Sequence, residues 1–426
     1  MNNKKKFYSL ALASTFLAIF LIFVSSVASA ASSPTIIETK ITSNTSDSEY
    51  PVIYGNKIAW QDDRNGNWDI YMQDLSTKQQ IHTTNLANQV HPAIYGNNVV
   101  WEDYQNGNPN IYLQDLSTKK QTRIAIGTAY QRNPAIYGNR IVWEDYRNGP
   151  PVEGNANGNP DIYMYDISTK KETRITTSEL AYNPAIYDNK IVWDDWRSGS
   201  SDIYMYDLST KKETRITTNE ARQEHPAINN NRIVWHDTRN GELEIYMYDL
   251  SNKKETRITK NSSVSLSPTI YGNRIVWEDT RNGNSDTYVY DLSTRQEIHT
   301  IGKSDKGFPT IYYDRIVWMD NRNGYYDNMD GNWHNWDIYM GTLIYPPIAA
   351  FSTSPISGKA PLTVKFTDKS TGSPTSRFWD FGDKSTSTTQ NPAHKYAKAG
   401  RYTVSLTVKN AAGSNSITKS KYITVK

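Results

Sequence analysis

The stretch Pro268–Thr300, PTIYGNRIVWEDTRNGNSDTYVYDLSTRQEIHT, contains the pattern that decides the fold. Three apolar runs are separated by short polar turns, and Gly-Asn and Asn-Gly pairs in these turns favour the backbone of tight β-hairpins. The second run, Arg274–Asp279, has apolar side chains on both faces, which is typical of a sheet packed on both sides. The charged run Arg295–Thr300 is predicted to be the outermost strand, because charges protect an exposed sheet edge.

Copies of this unit fill residues 35–343. Consecutive copies are spaced by 41, 42, 50, 42, 42 and 41 residues, measured between the tryptophans that close their second runs. These tryptophans are Trp60, Trp101, Trp143, Trp193, Trp235, Trp277 and Trp318. A repeat of this length with several strand patterns per unit is typical of a β-propeller blade. We therefore predict an all-β protein whose main domain is a seven-bladed β-propeller.

The two ends of the repeat region complement each other. Residues 35–42 match the charged fourth run and precede the first complete unit, whereas the last unit stops at Leu343 without a fourth run. We expect the N-terminal strand to complete the last blade. This pairing would close the ring and remove the free edges of an open array.

Residues 1–30 combine three lysines, an uncharged apolar stretch and a final Ala-Ser-Ala. This is the pattern of a secretory signal, which predicts cleavage after Ala30, an extracellular or cell-surface location and no transmembrane segment after cleavage. Removing Lys4, Lys5 and Lys6 reduces the 47 basic residues to 44, equal to the 44 acidic ones. This balance does not favour nucleic acid as a partner. Without cysteine, stability must come from the core and from ring closure.

Two resemblances follow from these motifs. The segments PAIYGNRIVWEDYRNG and DIYMYDLSTKKETRIT resemble the TolB-like propeller repeat, which covers residues 35–343. After a linker at 344–347, residues 348–426 resemble a PKD domain, an Ig-like β-sandwich, on the motifs RFWDFGD at Arg377–Asp383 and NPAHKY ending at Tyr396. Such propellers serve as accessory domains, lyases and binding scaffolds, and PKD domains are common in surface proteins and exported hydrolases. The resemblance implies an exported protein and leaves its activity open.

Loops on one face of the predicted disc are the first candidate for function. The loops that join blades differ most among the copies, and the loops between second and third strands carry both insertions, at 149–159 and 325–336. Binding sites commonly lie on variable loops of a rigid scaffold, although loops also vary where nothing constrains them.

The insertion at 325–336 places aromatic rings beside polar groups, as sugar recognition requires. Its binding candidates are Tyr325, Tyr326, Asn332, Trp333, His334 and Trp336. The carboxylates of Asp327, Asp330 and Asp337 could instead supply oxygen ligands to Ca²⁺. Their spacing does not match the EF-hand loop, and a solvated loop without a ligand is the remaining alternative.

The residue before the opening proline of each unit is expected near the channel mouth. These residues are Tyr50, His91, Asn133, Asn183, His225, Ser267 and Phe308. His91 and His225 suggest a binding, metal or acid–base role, but blades 2 and 5 stand across the ring, so we do not expect them to share a metal. An Asp two residues after each Trp, such as Asp279, recurs in every unit and is expected to be structural.

These patterns predict a cell-surface protein that acts as a non-catalytic binding or adhesion module. Its partner would be a cell-envelope glycan or a surface protein, with no catalytic residue assigned and Ca²⁺ as the one cofactor left open. The alternative is an extracellular polysaccharide lyase or hydrolase with its site at the channel mouth. The sequence contains neither a GxSxG nor an HExxH motif.

Overall fold

The computed structural model describes residues 34–43, 45–125, 127–149, 158–260, 263–300, 302–327 and 332–426. The predicted signal sequence lies outside the described residues. Within them, every regular element is a β-strand. No helix long and apolar enough to cross a bilayer occurs in the described part of the chain. The strands form two compact units, Pro34–Ile344 and Tyr345–Lys426.

The described part of the first unit contains seven four-stranded antiparallel sheets, which we number 1 to 7 along the chain. The first strands are Ser48–Tyr54, Gln89–Tyr95, Gln131–Tyr137, Ala181–Tyr187, Gln223–Asn229, Ser265–Tyr271 and Lys306–Tyr312. The second strands are Lys57–Asp62, Asn98–Asn106, Arg140–Asp145, Lys190–Asp195, Arg232–Asn240, Arg274–Asp279 and Arg315–Asp320.

The third strands are Asp69–Asp74, Asn108–Asp115, Asp161–Asp166, Asp202–Asp207, Glu242–Asp249, Asp286–Asp291 and Asp337–Ile344. The charged runs form the edge strands, as predicted, at Gln80–His82, Lys120–Arg123, Lys171–Arg174, Lys212–Arg215, Lys254–Arg257 and Gln296–His299. In sheet 7 the edge strand is Thr35–Lys40, which pairs antiparallel with Asp337–Ile344. A separate hairpin, Tyr325–Asp327 with Asn332–His334, lies in the insertion.

The core of the first unit lies between neighbouring sheets. All seven repeat tryptophans are fully buried. Trp143 of sheet 3, for example, belongs to a cluster with Val100 and Ile111 of sheet 2. Trp60 of sheet 1 packs in the same way with residues of sheet 7, including Val317. Each sheet is therefore apolar on both faces, which explains the apolar residues on both sides of the second strand.

Every first strand contains a β-bulge at its proline. In sheet 6 the register with the second strand shifts between Leu266 and Thr269, and the other six sheets repeat this shift. The residue before the proline has φ between 47° and 54° in all seven sheets. Non-glycine residues seldom adopt this left-handed backbone, and the bulge redirects their side chains.

The second unit is a two-sheet sandwich. One sheet contains Phe351–Ser354, Leu362–Asp368 and Ala393–Tyr396, and the other contains Ser357–Gly358, Ser376–Asp380, Thr386–Ser387, Gly400–Asn410 and Gly413–Val425. Trp379 is fully buried in its core, as the resemblance implied. The Asn410 side-chain amide donates a 2.8 Å hydrogen bond to the carbonyl of Tyr345. Tyr345 lies in the same compact unit as the sandwich.

Candidate functional site

A cavity of about 480 Å³ lies where the first strands of the seven sheets meet. It is lined by the seven prolines and by the residue before each of them: Tyr50, His91, Asn133, Asn183, His225, Ser267 and Phe308. We call this the mouth cavity. The prediction that these residues lie together at one opening agrees with this geometry.

The lining of the mouth cavity differs from one side to the other. The Tyr50 ring lies between two neighbours, with its centroid 4.3 Å from Phe308 and 4.9 Å from His91. Sheets 3 to 6 contribute polar side chains at the same position, namely Asn133, Asn183, His225 and Ser267. An aromatic arc therefore faces hydrogen-bonding groups across one opening, a combination found in many ligand pockets.

Hydrogen bonds between sheets hold the strained backbone at the mouth. In five of the seven sheets, the side chain of the residue after the Trp accepts a bond from the N–H of the left-handed residue in the next sheet. The observed bonds are Asn133 to Glu102 at 2.8 Å, Asn183 to Glu144 at 2.8 Å, Phe308 to Glu278 at 2.7 Å, His225 to Asp194 at 3.1 Å and His91 to Gln61 at 3.1 Å. The scaffold therefore fixes the positions of the lining residues.

Burial changes the ionisation of the groups beneath the mouth. It raises the pKa of Asp194 to about 8 and also raises the pKa values of Glu144 and Glu278. His225 lies 4.8 Å from His236, ring to ring. Burial and this neighbour lower the pKa of His225 to about 4, so its imidazole is neutral at neutral pH.

His91, the other predicted histidine, pairs with a buried carboxylate. Its Nδ1 lies 2.9 Å from Oε1 of Glu102, whose side chain is almost fully buried. The same oxygen accepts the bond from Asn133 described above. A carboxylate in this position orients the imidazole ring at the cavity wall.

A second cavity, of about 250 Å³, adjoins the mouth at sheets 2 to 4. We call it the side cavity. It shares His91, Asn133 and Asn183 with the mouth cavity and is otherwise lined by Glu102, Tyr104, Arg132, Glu144, Tyr146 and Tyr182. This site was not predicted from the sequence. A usable signal was the acidic residue that follows Trp101 and Trp143 inside an otherwise apolar strand.

The insertion of sheet 7 presents only part of the predicted aromatic surface. Tyr325 and Tyr326 are exposed, and the Tyr325 ring lies 5.5 Å from the His334 ring. Trp336 is instead partly buried against the core cluster of Trp60. The backbone N–H of Trp336 donates to Asp47 Oδ1 at 2.9 Å, which fixes the chain at this point. Trp336 thus packs partly against the core, and its role in binding stays a prediction.

The structure does not describe the side chains of the other candidate binding and metal residues in the insertion. Asp330 lies outside the described residues, as do the side chains of Asp327, Asn332 and Trp333. Their roles in binding sugar or Ca²⁺ stay predictions.

Asp337, the remaining Ca²⁺ candidate, is a structural residue. Its buried carboxylate contacts Lys40 Nζ at 2.7 Å, Thr42 Oγ1 at 2.9 Å and Asn323 Nδ2 at 3.0 Å. The first residue of other third strands is bonded similarly, as in the 2.7 Å pair of Asp202 with Arg215. These partners give the carboxylate a structural role, and its assignment as a Ca²⁺ ligand stays a prediction. Among the described residues, no group of three or more His, Asp or Glu could hold a metal ion.

The Asp of each Trp-x-Asp motif also has a structural role, as predicted. Asp279 accepts hydrogen bonds from Trp277 Nε1 at 3.0 Å and from Arg281 Nε at 2.9 Å. Arg281 in turn contacts Glu297 of the edge strand at 2.6 Å. The motif therefore ties the tryptophan, the hairpin and the sheet edge together.

The comparisons identify the second unit and the fold of the first. Residues 345–425 match the family model described as PKD domain, so this unit is a PKD domain. Collagenase ColA of Bacillus cereus is 47% identical over 60 residues, which cover 14% of this chain and only 6% of the collagenase.

Solved β-propellers resemble most of this chain. The β-propeller domain of the Trilobed protease from Pyrococcus furiosus is 12% identical, with a TM-score of 0.53 over 70% of this chain and 94% of that one. An oligogalacturonate lyase in complex with manganese is 13% identical, with a TM-score of 0.52 over 73% of this chain and 96% of the lyase chain. TolB from Acinetobacter baumannii is 15% identical, with a TM-score of 0.40 over 68% of this chain and 78% of the TolB chain. The first two likenesses identify the fold as a β-propeller and leave the activity open.

Proposed function

We propose that this protein is an exported, non-catalytic binding module that takes a cell-envelope glycan into the mouth cavity. The observation that carries the proposal is the aromatic arc of Tyr50, His91 and Phe308 facing the amides of Asn133 and Asn183 across one opening. Sugar rings have apolar faces that pack on aromatic rings and hydroxyls that need directed polar partners. If no glycan binds to the protein, a surface protein becomes the preferred partner.

The scaffold of this site is, in our proposal, a seven-bladed ring closed by the N-terminal strand. Three observations support it: the pairing of Thr35–Lys40 with sheet 7, the packing of Trp60 against Val317, and the tyrosines at the first hairpins. Neighbouring tyrosine rings in five such pairs are inclined by 43°, 50°, 52°, 46° and 52°. A sevenfold ring rotates adjacent blades by about 51°.

The predicted signal sequence and the PKD domain support an extracellular or cell-surface location. An exported protein meets envelope glycans directly. The buried partners of the mouth residues also favour binding over chemistry, because Glu102, Glu144 and Glu278 already accept backbone hydrogen bonds.

The second candidate is an extracellular polysaccharide lyase or hydrolase, which the pairing of His91 with Glu102 favours. A carboxylate-oriented imidazole at a cavity wall is a common general base. Turnover of a polysaccharide that is lost in both His91→Ala and His225→Ala would support this function over simple binding.

The test is binding of the chain from Ala31 to Lys426 to a glycan panel and to isolated envelopes, with Ca²⁺ or with a chelator. Tyr50→Asn and Phe308→Asn are the informative variants, because Asn occupies the same left-handed position in sheets 3 and 4. We expect affinity to fall by about tenfold in each, equivalent to about 1.4 kcal/mol. Tyr325→Ala and Tyr326→Ala test the insertion.

Retained affinity in both Asn variants, with loss in the insertion variants, would move the site to the hairpin of sheet 7. Binding to envelopes but to no glycan would identify a protein partner. Loss of binding with the chelator would establish a metal requirement.

A further inference from the structure

Arg132 lines the side cavity and occupies a position that carries no arginine or lysine in the other six sheets. The residue two positions before the opening proline is Glu49, Val90, Tyr182, Glu224, Leu266 or Gly307 in the other six sheets. Architecture is shared by all copies, whereas a cation at this position occurs once. Its presence therefore needs a reason beyond the fold.

Among the described residues, the guanidinium of Arg132 has no carboxylate partner, whereas that of Arg147 pairs with Asp145 and Glu172. Arg132 lies opposite Glu144 across the strands, yet the two side chains form no ion pair in the part of the chain that the structure describes. Its Nε is buried and has no hydrogen-bond partner there. The group lies 4.9 Å from the centre of the Tyr130 ring.

The two carboxylates of the cavity are already engaged. Glu102 accepts from Asn133 N–H and Tyr104 OH and contacts His91. Glu144 accepts from the Asn133 side chain at 2.7 Å, from Asn183 N–H at 2.8 Å and from Tyr146 OH at 3.2 Å. Burial also raises the pKa of Glu144 above its ordinary value. The cavity thus keeps a cation available to a ligand.

We propose that the side cavity binds the carboxylate of an acidic sugar residue, a uronate, within the glycan that occupies the mouth. This inference rests on the proposed function, since His91, Asn133 and Asn183 line both cavities. The volume of about 250 Å³ suits a single sugar ring. A planar guanidinium binds a carboxylate through two parallel hydrogen bonds.

The hydroxyls of a uronate complete the fit. Tyr104, Tyr146 and Tyr182 line the cavity with phenolic groups, and Tyr182 OH donates to Asn159 Oδ1 at 3.2 Å. Phenol oxygens can accept hydrogen bonds from sugar hydroxyls. An Asp or Glu side chain of a protein partner has no hydroxyls for these groups, so the lining favours the sugar.

The experiment compares a glucuronate-containing oligosaccharide with its carboxyl-reduced form of equal length. Affinities are measured by calorimetry for the chain from Ala31 to Lys426 and for Arg132→Gln, Arg132→Lys and Arg222→Gln. Arg222 is a more exposed arginine directly before the first strand of sheet 5 and serves as the control. Melting temperatures confirm that each variant is folded.

We expect the unaltered chain to prefer the acidic oligosaccharide by at least about tenfold. Arg132→Gln should abolish this preference while binding of the reduced form stays within about twofold. Arg132→Lys should keep part of the preference, because an ammonium lacks the planar fork, and Arg222→Gln should keep all of it.

Equal affinity for both forms in the unaltered chain, or a preference that survives Arg132→Gln, would overturn the uronate site and leave glycan binding intact. Absence of binding to either form and to the whole glycan panel would overturn both proposals. Arg132-dependent binding of an acidic peptide without uronate binding would also overturn the uronate site.

Discussion

The backbone N–H of Asn183 donates a 2.8 Å hydrogen bond to the carboxylate of Glu144, which belongs to the preceding sheet. Asn183 has φ of 51°, a conformation that costs of order 1–3 kcal/mol at a strained non-glycine position. The same relationship joins four other pairs of neighbouring sheets. Packing between sheets and the shape of the mouth cavity are therefore coupled.

Asp194→Asn should flatten the dependence of stability on pH. Burial raises the pKa of Asp194 from 3.8 to about 8. Between these values the unfolded chain loses the proton before the folded chain does, so the contribution of Asp194 to stability falls as pH rises. Asn keeps an Oδ1 acceptor for His225 N–H. We expect the stability of the variant, relative to that of the unaltered chain, to be higher at pH 8 than at pH 4, measured by thermal unfolding.

Asp195→Asn is the matched control and should have the opposite sign. Burial alone would raise the pKa of Asp195, but hydrogen bonds from Arg197 and Trp193 outweigh it and lower the pKa. This contribution is present above the ordinary carboxyl pKa and is lost as pH falls through the lower folded value. The control variant should therefore lose stability at neutral pH. A pH profile of Asp194→Asn parallel to that of the unaltered chain would contradict the argument.

Trp235→Ala should destabilise the propeller by about 3–5 kcal/mol. Trp235 is fully buried between sheets 4 and 5, where it belongs to a cluster with Val192 and Ile203. The measurement is the free energy of unfolding in urea. Leu86→Ala is the control, because Leu86 is 98% exposed and its removal should change stability by less than about 0.5 kcal/mol. Equal urea midpoints for the two variants would contradict the assignment of Trp235 to the core.

A chain that begins at residue 43 tests ring closure. It lacks Thr35–Lys40, which pairs along its length with Asp337–Ile344, and it leaves Asp337 without Lys40. We expect a lower urea midpoint, by about 2 kcal/mol or more, because hydrogen bonds of the ladder are lost. Light scattering should rise, since the uncovered edge can pair with other chains. A chain that begins at Ser33 provides the reference, and identical behaviour of the two would argue against closure by this strand.

Substitutions of the aromatic residues in the insertion should differ in their effect on the stability of the propeller. Trp336→Ala removes a side chain that packs on the Trp60 cluster and should cost about 1–3 kcal/mol. Tyr325→Ala removes a side chain that is 60% exposed and should change stability by less than about 0.5 kcal/mol. Thermal unfolding of both variants measures the difference. A larger loss of stability in Tyr325→Ala than in Trp336→Ala would indicate that Trp336 is a surface residue.

Much of the fold was predictable because its determinants are local and repeated. The tryptophan spacing, the Gly-Asn and Asn-Gly turns and the charged fourth runs each indicate structure within one unit of about 42 residues. Repetition also placed Tyr50, His91 and Phe308 at one opening, since equivalent positions of all copies face the same axis. The same reasoning should have identified Asp337 as structural, because its position is acidic in most copies.

The sequence by itself determined the repeat, the strands and the residues that line the mouth, because these follow from short-range periodicity. Only the tertiary structure decided which polar groups are already paired. The carboxylate of Asp337 accepts a hydrogen bond from Thr42, a residue 295 positions away. Arg132 Nε has no acceptor among the described residues, although Glu144 lies opposite to Arg132. Such pairings depend on side-chain contacts between distant residues, and burial then sets the pKa of groups such as Asp194.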